Sequence, residues 1–183
     1  MDFDFHTHRL DIAPGSGVVA LPQSMLLNPA AFRPQPGGLY AAGIHPWWTA
    51  EPDFSLAAHL DALAALLARP EVVHIGECGL DRCRGAEISK QVAVFEAQVA
   101  LSERFSRPIT LHIVRAFDLI LGLHKRLRPT QRWTVHGFRG KPQLAQQLLD
   151  AGFDLSFGHH RNPDAWAITP PDRRHEETDE WPV

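Results

Sequence analysis

Short apolar runs alternate along this chain with longer stretches whose apolar residues recur at helical spacing. Eight runs read as strands, around residues 3–8, 18–22, 39–44, 72–77, 108–113, 132–137, 153–157 and 174–179, with Gly or Pro close to most of them. Between the runs, Leu56, Leu60, Leu63, Leu66 and Leu67 form a stripe that predicts a helix over 55–68, stopped by Pro70. Ile88, Val92, Phe95, Val99 and Leu101 predict another over 87–105. Phe117 to Leu127 and Pro142 to Ala151 give two more, the latter closed by Gly152. Strand followed by helix, repeated, predicts a parallel sheet, and eight strands predict an α/β fold of the compact TIM-like (β/α) barrel type. The stretches 10–17 and 25–38 are short or rich in Pro and Gly, so the first two crossover helices are expected to be loops.

Several runs end in a residue that can bind a metal ion. His6 and His8 lie at i and i+2 and therefore leave one face of a strand, with Asp4 on the same face. The run 72–77 ends in Glu77, the run from Pro108 in His112, the run from Arg132 in His136, and Glu177-Thr178-Asp179 supplies a last carboxylate. In a barrel of this type the active site is built at the carboxyl ends of the strands, so residues far apart in sequence converge. His6, His8, Glu77, His112, His136 and Asp179 are thus the expected ligands of a metal centre.

The chain resembles the TatD family of metal-dependent hydrolases, amidohydrolase-like barrels. The resemblance rests on Asp4-x-His6-x-His8, Gly43-Ile44-His45-Pro46, Ile75-Gly76-Glu77-Cys78-Gly79-Leu80-Asp81, the helix near Gln91 with Phe95, Pro108 to His112, His136-Gly137-Phe138, Ser156-Phe157-Gly158 and Glu177-Thr178-Asp179. It implies two divalent ions, with His6, His8, Glu77 and Asp179 around one, Glu77 bridging, and His112 and His136 on the other. It also implies hydrolysis of phosphodiesters, typically by a deoxyribonuclease. A carboxylate has two oxygens and suits the bridge, while Asp179 suits a general base. The helix that usually closes such a barrel after the last strand is expected to be missing, which leaves a seam where the chain could oligomerise. Arg173, Arg174 and His175 are polar where a buried strand is usually apolar, and 170–183 reads as a poorly ordered tail.

Charge bears on the substrate. The chain carries 18 Lys and Arg against 21 Asp and Glu, a net charge of −3, which argues against broad electrostatic binding of DNA. Arg9, Arg82, Arg84, Arg115, Arg139, Lys141 and Arg161 nevertheless follow strand ends and could ring the mouth, with Arg115 and Arg139 the strongest candidates for substrate binding. The resemblance adds His45 as a substrate contact, and Trp47 and Trp48 beside it suit either base stacking or capping of a barrel end. His74 is expected to face the helix layer, and His59 and His124 to pack on helices. The pair His159-His160 is expected not to ligate. Cys78 should point away from Glu77, and with Cys83 it reads as one of two reduced thiols.

At 183 residues the chain fits one domain, 1–183. It has no signal-peptide pattern and no apolar run long enough for a membrane span, which makes a cytoplasmic, membrane-free protein the expectation. The donor set accepts Zn, Mn, Mg, Fe or Ni. DNA or a small phosphoester is the expected substrate. Hydrolysis of a small-molecule C–N or ester bond is the first alternative, since the same centre can activate water against either bond. A catalytically silent binding protein is the second.

Overall fold

A computed structural model describes residues 3–181, so that Pro182 and Val183 of the stretch read as a tail lie outside the described residues. Eight parallel strands follow one another around a single sheet: β1 (Asp4–Thr7), β2 (Gly17–Ala20), β3 (Leu39–Ala42), β4 (Val72–Asp81), β5 (Ile109–Val114), β6 (Trp133–Val135), β7 (Asp154–Phe157) and β8 (Arg174–Glu176). The expected TIM-like barrel is what forms. Its seam is held just beyond β8, where His8 N–H donates to the Glu180 carbonyl at 2.9 Å and Asp179 N–H to that of His6 at 3.1 Å. Asp4, expected on the metal-binding face, serves this seam instead: its carboxylate accepts from Thr178 N–H at 3.0 Å and Thr178 Oγ at 2.6 Å.

The helices are α1 (Gln23–Leu26), α2 (Leu56–Leu67), α3 (Ile88–Phe105), α4 (Phe117–Leu127), α5 (Pro142–Asp150) and α6 (Pro163–Ile168). The connection between β2 and β3 is reduced to the single turn of α1 and a short 3₁₀ turn, as its Pro and Gly content predicts. α2 opens on Ser55, whose Oγ accepts from Ala58 N–H, and it buries Leu63, Leu66 and Leu67. α6 escaped the periodicity reading because six residues are too few to show a stripe, although Asn162 caps it with bonds from Asp164 and Ala165 N–H.

α3 buries two glutamines among its apolar residues, and both hold strand ends. Gln98 accepts from Ile44 N–H at 2.6 Å and donates to the Ile44 carbonyl at 3.1 Å, which fixes the chain just before His45. Gln91 accepts from Asp81 N–H at 2.8 Å and donates to the carbonyls of Asp81, Arg84 and Ala86. A buried amide satisfied on both ends turns a polar core residue into a clamp.

The polar last strand has a local explanation. Asp154, buried at the start of β7, is met by Arg132 at 2.8 Å, by Arg173, and by His175 at 3.5 Å, while Arg174 donates to the carbonyls of Trp166 and Thr169, so the polar residues that looked out of place at the last strand all find acceptors. His175 also stacks on Phe5 with ring centroids 4.4 Å apart. Among the described residues, no helix is long and apolar enough to cross a membrane.

A candidate metal centre at the strand ends

Glu77 sits at the middle of the site, buried on β4, with imidazoles on both of its oxygens. His6 and His8, at the end of β1, bring Nε2 to 3.2 and 2.8 Å from Oε1. His136, after β6, brings Nε2 to 3.0 Å from Oε2; His112 on β5 brings Nδ1 to 3.4 Å, and His45 brings Nε2 to 3.6 Å. Asp179 closes the first half, with Oδ1 at 3.5 Å from His8 Nε2 and 3.9 Å from His6 Nε2. All six residues expected at strand ends converge. Among the described residues, three overlapping sets of donor atoms could each hold an ion: His6, His8, Glu77 and Asp179; His45, Glu77 and His112; and His136, Glu177 and Asp179.

The position of Glu77 depends on a bulge. β4 runs three residues from Ile75 to Cys78 while β5 runs two from Ile109 to Leu111, and a second register shift separates β4 from β3. The extra residue breaks strict alternation, so His74 faces inward too, against the expectation that it would face the helix layer. Its Nδ1 lies 3.1 Å from Thr110 Oγ1 and its ring 5.3 Å from Phe5 across the barrel, and burial pushes it down to about 4. Cys78 does point away from Glu77, with Sγ toward the Thr110 carbonyl. Gly79 lets β4 and β5 approach, since a Cβ there would lie 2.1 Å from the carbonyl oxygen of His112.

Two carboxylates that sequence reasoning left without a role orient the imidazoles. Glu177 is buried, accepts from Gly137 N–H at 2.6 Å and Ser156 Oγ at 2.5 Å, and sets Oε1 at 3.4 Å from His136 Nδ1. Asp81 sets Oδ2 at 3.3 Å from His112 Nε2 and accepts from the Trp47 indole N–H at 2.6 Å. Carboxylates behind ligating imidazoles fix their tautomer and aim. The signal for both was present: Glu177 lies two residues before Asp179, and Asp81 four after Glu77 on the same strand.

The electrostatics fit a bound cation. Burial disfavours ionisation of Glu77, but the charges of His136 and His6 and hydrogen bonds from His112 and His136 outweigh it and hold the carboxyl well below its usual range. Burial likewise disfavours charge on His8, yet Asp179 and Glu77 raise it to about 9. His136 is raised in the same way, burial being overcome by Glu77 and Glu177. Among the described residues, neither ring nitrogen of the fully buried His6 has a hydrogen-bond partner. Anionic oxygens that hold protons on neighbouring imidazoles, beside an orphaned buried ring nitrogen, are what a divalent ion would satisfy.

The expected rim divides. Arg9 pairs with Asp11 and Glu180, Arg82 with Asp118, and Arg161 with Glu176, while Arg84 lies 3.8 Å over the Trp47 ring. Arg139 lines a cleft shared with His112, His136 and Asp179. Arg115 is exposed at the end of β5 and lies outside the clefts that meet at the centre. His45 sits within ligand reach of Glu77 rather than on the outer mouth, with Nδ1 accepting from Trp47 N–H at 3.2 Å. His59 and His124 pack against Phe54 and Trp133, as expected.

A parallel barrel with this imidazole and carboxylate cluster at the carboxyl ends of its strands is an α/β barrel with a candidate metal centre where such folds build their sites. The chain belongs to the family described as TatD related DNase, whose family model matches residues 29–180. It is 38% identical over 116 residues to a 3'-5' ssDNA/RNA exonuclease TatD of Erwinia billingiae, covering 62% of this chain and 43% of that protein. It is 32% identical over 123 residues to the metal-dependent hydrolase YjjV of Escherichia coli K12, covering 66% and 47%. The chain spans about half the length of these relatives. The crystal structure of the E. coli TatD homologue YjjV superposes with a TM-score of 0.77 at 25% identity, covering 97% of this chain and 78% of that one.

Proposed function

We propose that this chain is a metal-dependent phosphodiesterase that hydrolyses single-stranded nucleic acid, with two divalent ions sharing Glu77. The observation that carries the reading is the division of one carboxylate: Oε1 faces His6 and His8, Oε2 faces His112 and His136. Each oxygen then has imidazoles of its own, which suits a bridging ligand. The relatives named as ssDNA/RNA exonucleases supply the substrate class.

His6, His8, Glu77 and Asp179 would hold one ion, and Glu77 with His112 and His136, whose ring nitrogens face its Oε2, the other, His45 being grouped with Glu77 and His112 as a further donor. Bound there, divalent ions lower the pKa of a water and neutralise the charge that builds on a phosphoryl centre. Asp179 would take the water's proton. Burial opposes its ionisation, but His8 and the charges of His136 and His6 keep it ionised, and its side chain is a third exposed, so the proton can leave to solvent. Its N–H donates to the His6 carbonyl, and the backbone holds a φ of 52°, so the carboxylate is aimed by the chain itself. Glu177 and Asp81 orient His136 and His112. Arg139, in the cleft beside the centre, would contact a substrate phosphate, and Arg115 would act only on a longer strand.

The test is cleavage of a short labelled single-stranded DNA with added magnesium, manganese or zinc, beside EDTA and Glu77→Ala controls. Metal-dependent cleavage that both controls abolish is expected. Metal-loaded protein that leaves the DNA intact would overturn the reading.

A further inference from the structure

Beside the centre lies a cavity of about 300 Å³ whose floor is the cluster and whose walls are apolar, formed by Ala20, Leu21, Pro22, Trp48 and Trp181. This is the lower end of the size of small-ligand sites and matches one nucleoside rather than a run of them. Nothing in the hydrolysis itself requires that wall. The aromatic rings differ in what they are free to do. Trp47 is committed, with its indole N–H on Asp81 and the Arg84 guanidinium over its ring. Trp181 lies flat on His8, ring centroids 3.8 Å apart and planes within 14°, yet is 64% exposed, and among the described residues no aromatic ring is stacked on its other face. Trp48 is half-buried and lines the same cavity.

The charges near the site point the same way. Arg9, Arg82 and Arg161 are each matched by a carboxylate and the chain is acidic overall, which leaves Arg139 in the cleft beside the centre rather than a continuous basic groove. Single-strand binding draws on aromatic stacking as well as on charge, and stacking tolerates any base because every base has a π face.

We propose that the cavity lined by Trp48 and Trp181 is a nucleobase subsite, seating the base of the nucleotide whose phosphodiester lies over Glu77. This rests on the phosphodiesterase reading above. A base there stacks on the other face of Trp181 or on Trp48, and Gln23 is the polar side chain on the same wall; its amide nitrogen is taken by Glu51 at 2.5 Å, so its carbonyl oxygen is left to accept.

The experiment has two arms on the full chain. In the first, kcat/KM is measured with metal for a labelled single-stranded hexanucleotide, for versions abasic at either terminal nucleotide, and for the base-free diester bis(p-nitrophenyl) phosphate. The wild type should prefer the base-bearing strand over one abasic version by about tenfold, the scale of one lost stack. Trp48→Ala and Trp181→Ala should each shrink that ratio several-fold, and Trp48→Phe and Trp181→Phe should restore it. In the second arm, adenosine 5'-monophosphate is titrated into EDTA-treated protein. Saturable quenching of tryptophan fluorescence is expected, and its loss in the double Trp48→Ala, Trp181→Ala variant. A ratio that the alanine variants leave unchanged, or no quenching, overturns the subsite. Quenching without cleavage of any diester overturns the phosphodiesterase reading and leaves the subsite standing.

Discussion

Glu177 Oε1 lies 3.4 Å from His136 Nδ1, while His136 Nε2 lies 3.0 Å from Glu77 Oε2, so one imidazole spans a positioning carboxylate and the centre. Glu177 reaches the Glu77 carboxylate through that ring, accepts from Gly137 and Ser156, and stands beside Asp179 in one of the donor sets. Glu177→Gln keeps the shape but removes the negative charge that faces His136 Nδ1. Metal affinity and kcat/KM should fall about 10- to 100-fold with the fold intact. A metal titration beside circular dichroism checks this, and unchanged affinity would sink the positioning role.

Metal affinity should rise with pH. With His8 raised to about 9, the metal-free site carries a proton there at neutral pH, and an ion must displace it. Between pH 6 and 9 the measured Kd should therefore fall, and calorimetry in buffers of different ionisation enthalpy should show proton release at pH 7 that fades toward pH 9. A pH-independent Kd would contradict the assignment of His8 as a ligand.

Gly79→Ala should destabilise the barrel beside the site. Its Cβ would meet the His112 carbonyl at 2.1 Å, and the backbone at Gly79 has a φ of 142°, so β4 and β5 must part. Overpacking of this kind costs about 1–3 kcal/mol. Thermal unfolding reads the loss, and the nearby His112 should lose metal affinity with it.

Asp154→Asn should also destabilise, by about 1.5–3 kcal/mol, because Arg132, Arg173 and His175 lose a charged acceptor. Burial opposes the Asp154 charge, but His175, Arg173 and Arg132 depress its pKa below 3.8. A depressed carboxyl stabilises the fold above its unfolded value and loses that contribution as pH falls through its folded one. The gap between wild type and variant in urea unfolding should thus be full at pH 7 and narrow below pH 4.

Much of the fold was legible because its signals are local. Leu56 to Leu67 and Val92 to Val99 repeat at helical spacing, and most barrel strands are short apolar runs, β8 excepted, so the alternation could be counted. His6 and His8 were legible as a pair because i and i+2 share a strand face. His74 was misplaced because the bulge in β4 is invisible in its composition: register is set by the neighbouring strands. Asp4 was misplaced because the partner that claims it, Thr178, is 174 residues away.

What the sequence determined by itself was the repeating strand and helix pattern and the placing of imidazoles and carboxylates at strand ends, since both follow from the chemistry of adjacent residues. Only the tertiary structure decided which oxygen of Glu77 meets which histidine, that Glu177 and Asp81 stand behind the rings, and that Trp181 lies over His8. Those relations join residues from β1, β4, β5, β6 and the segment after β8, and distances across a closed barrel are set by the packing of all its strands together.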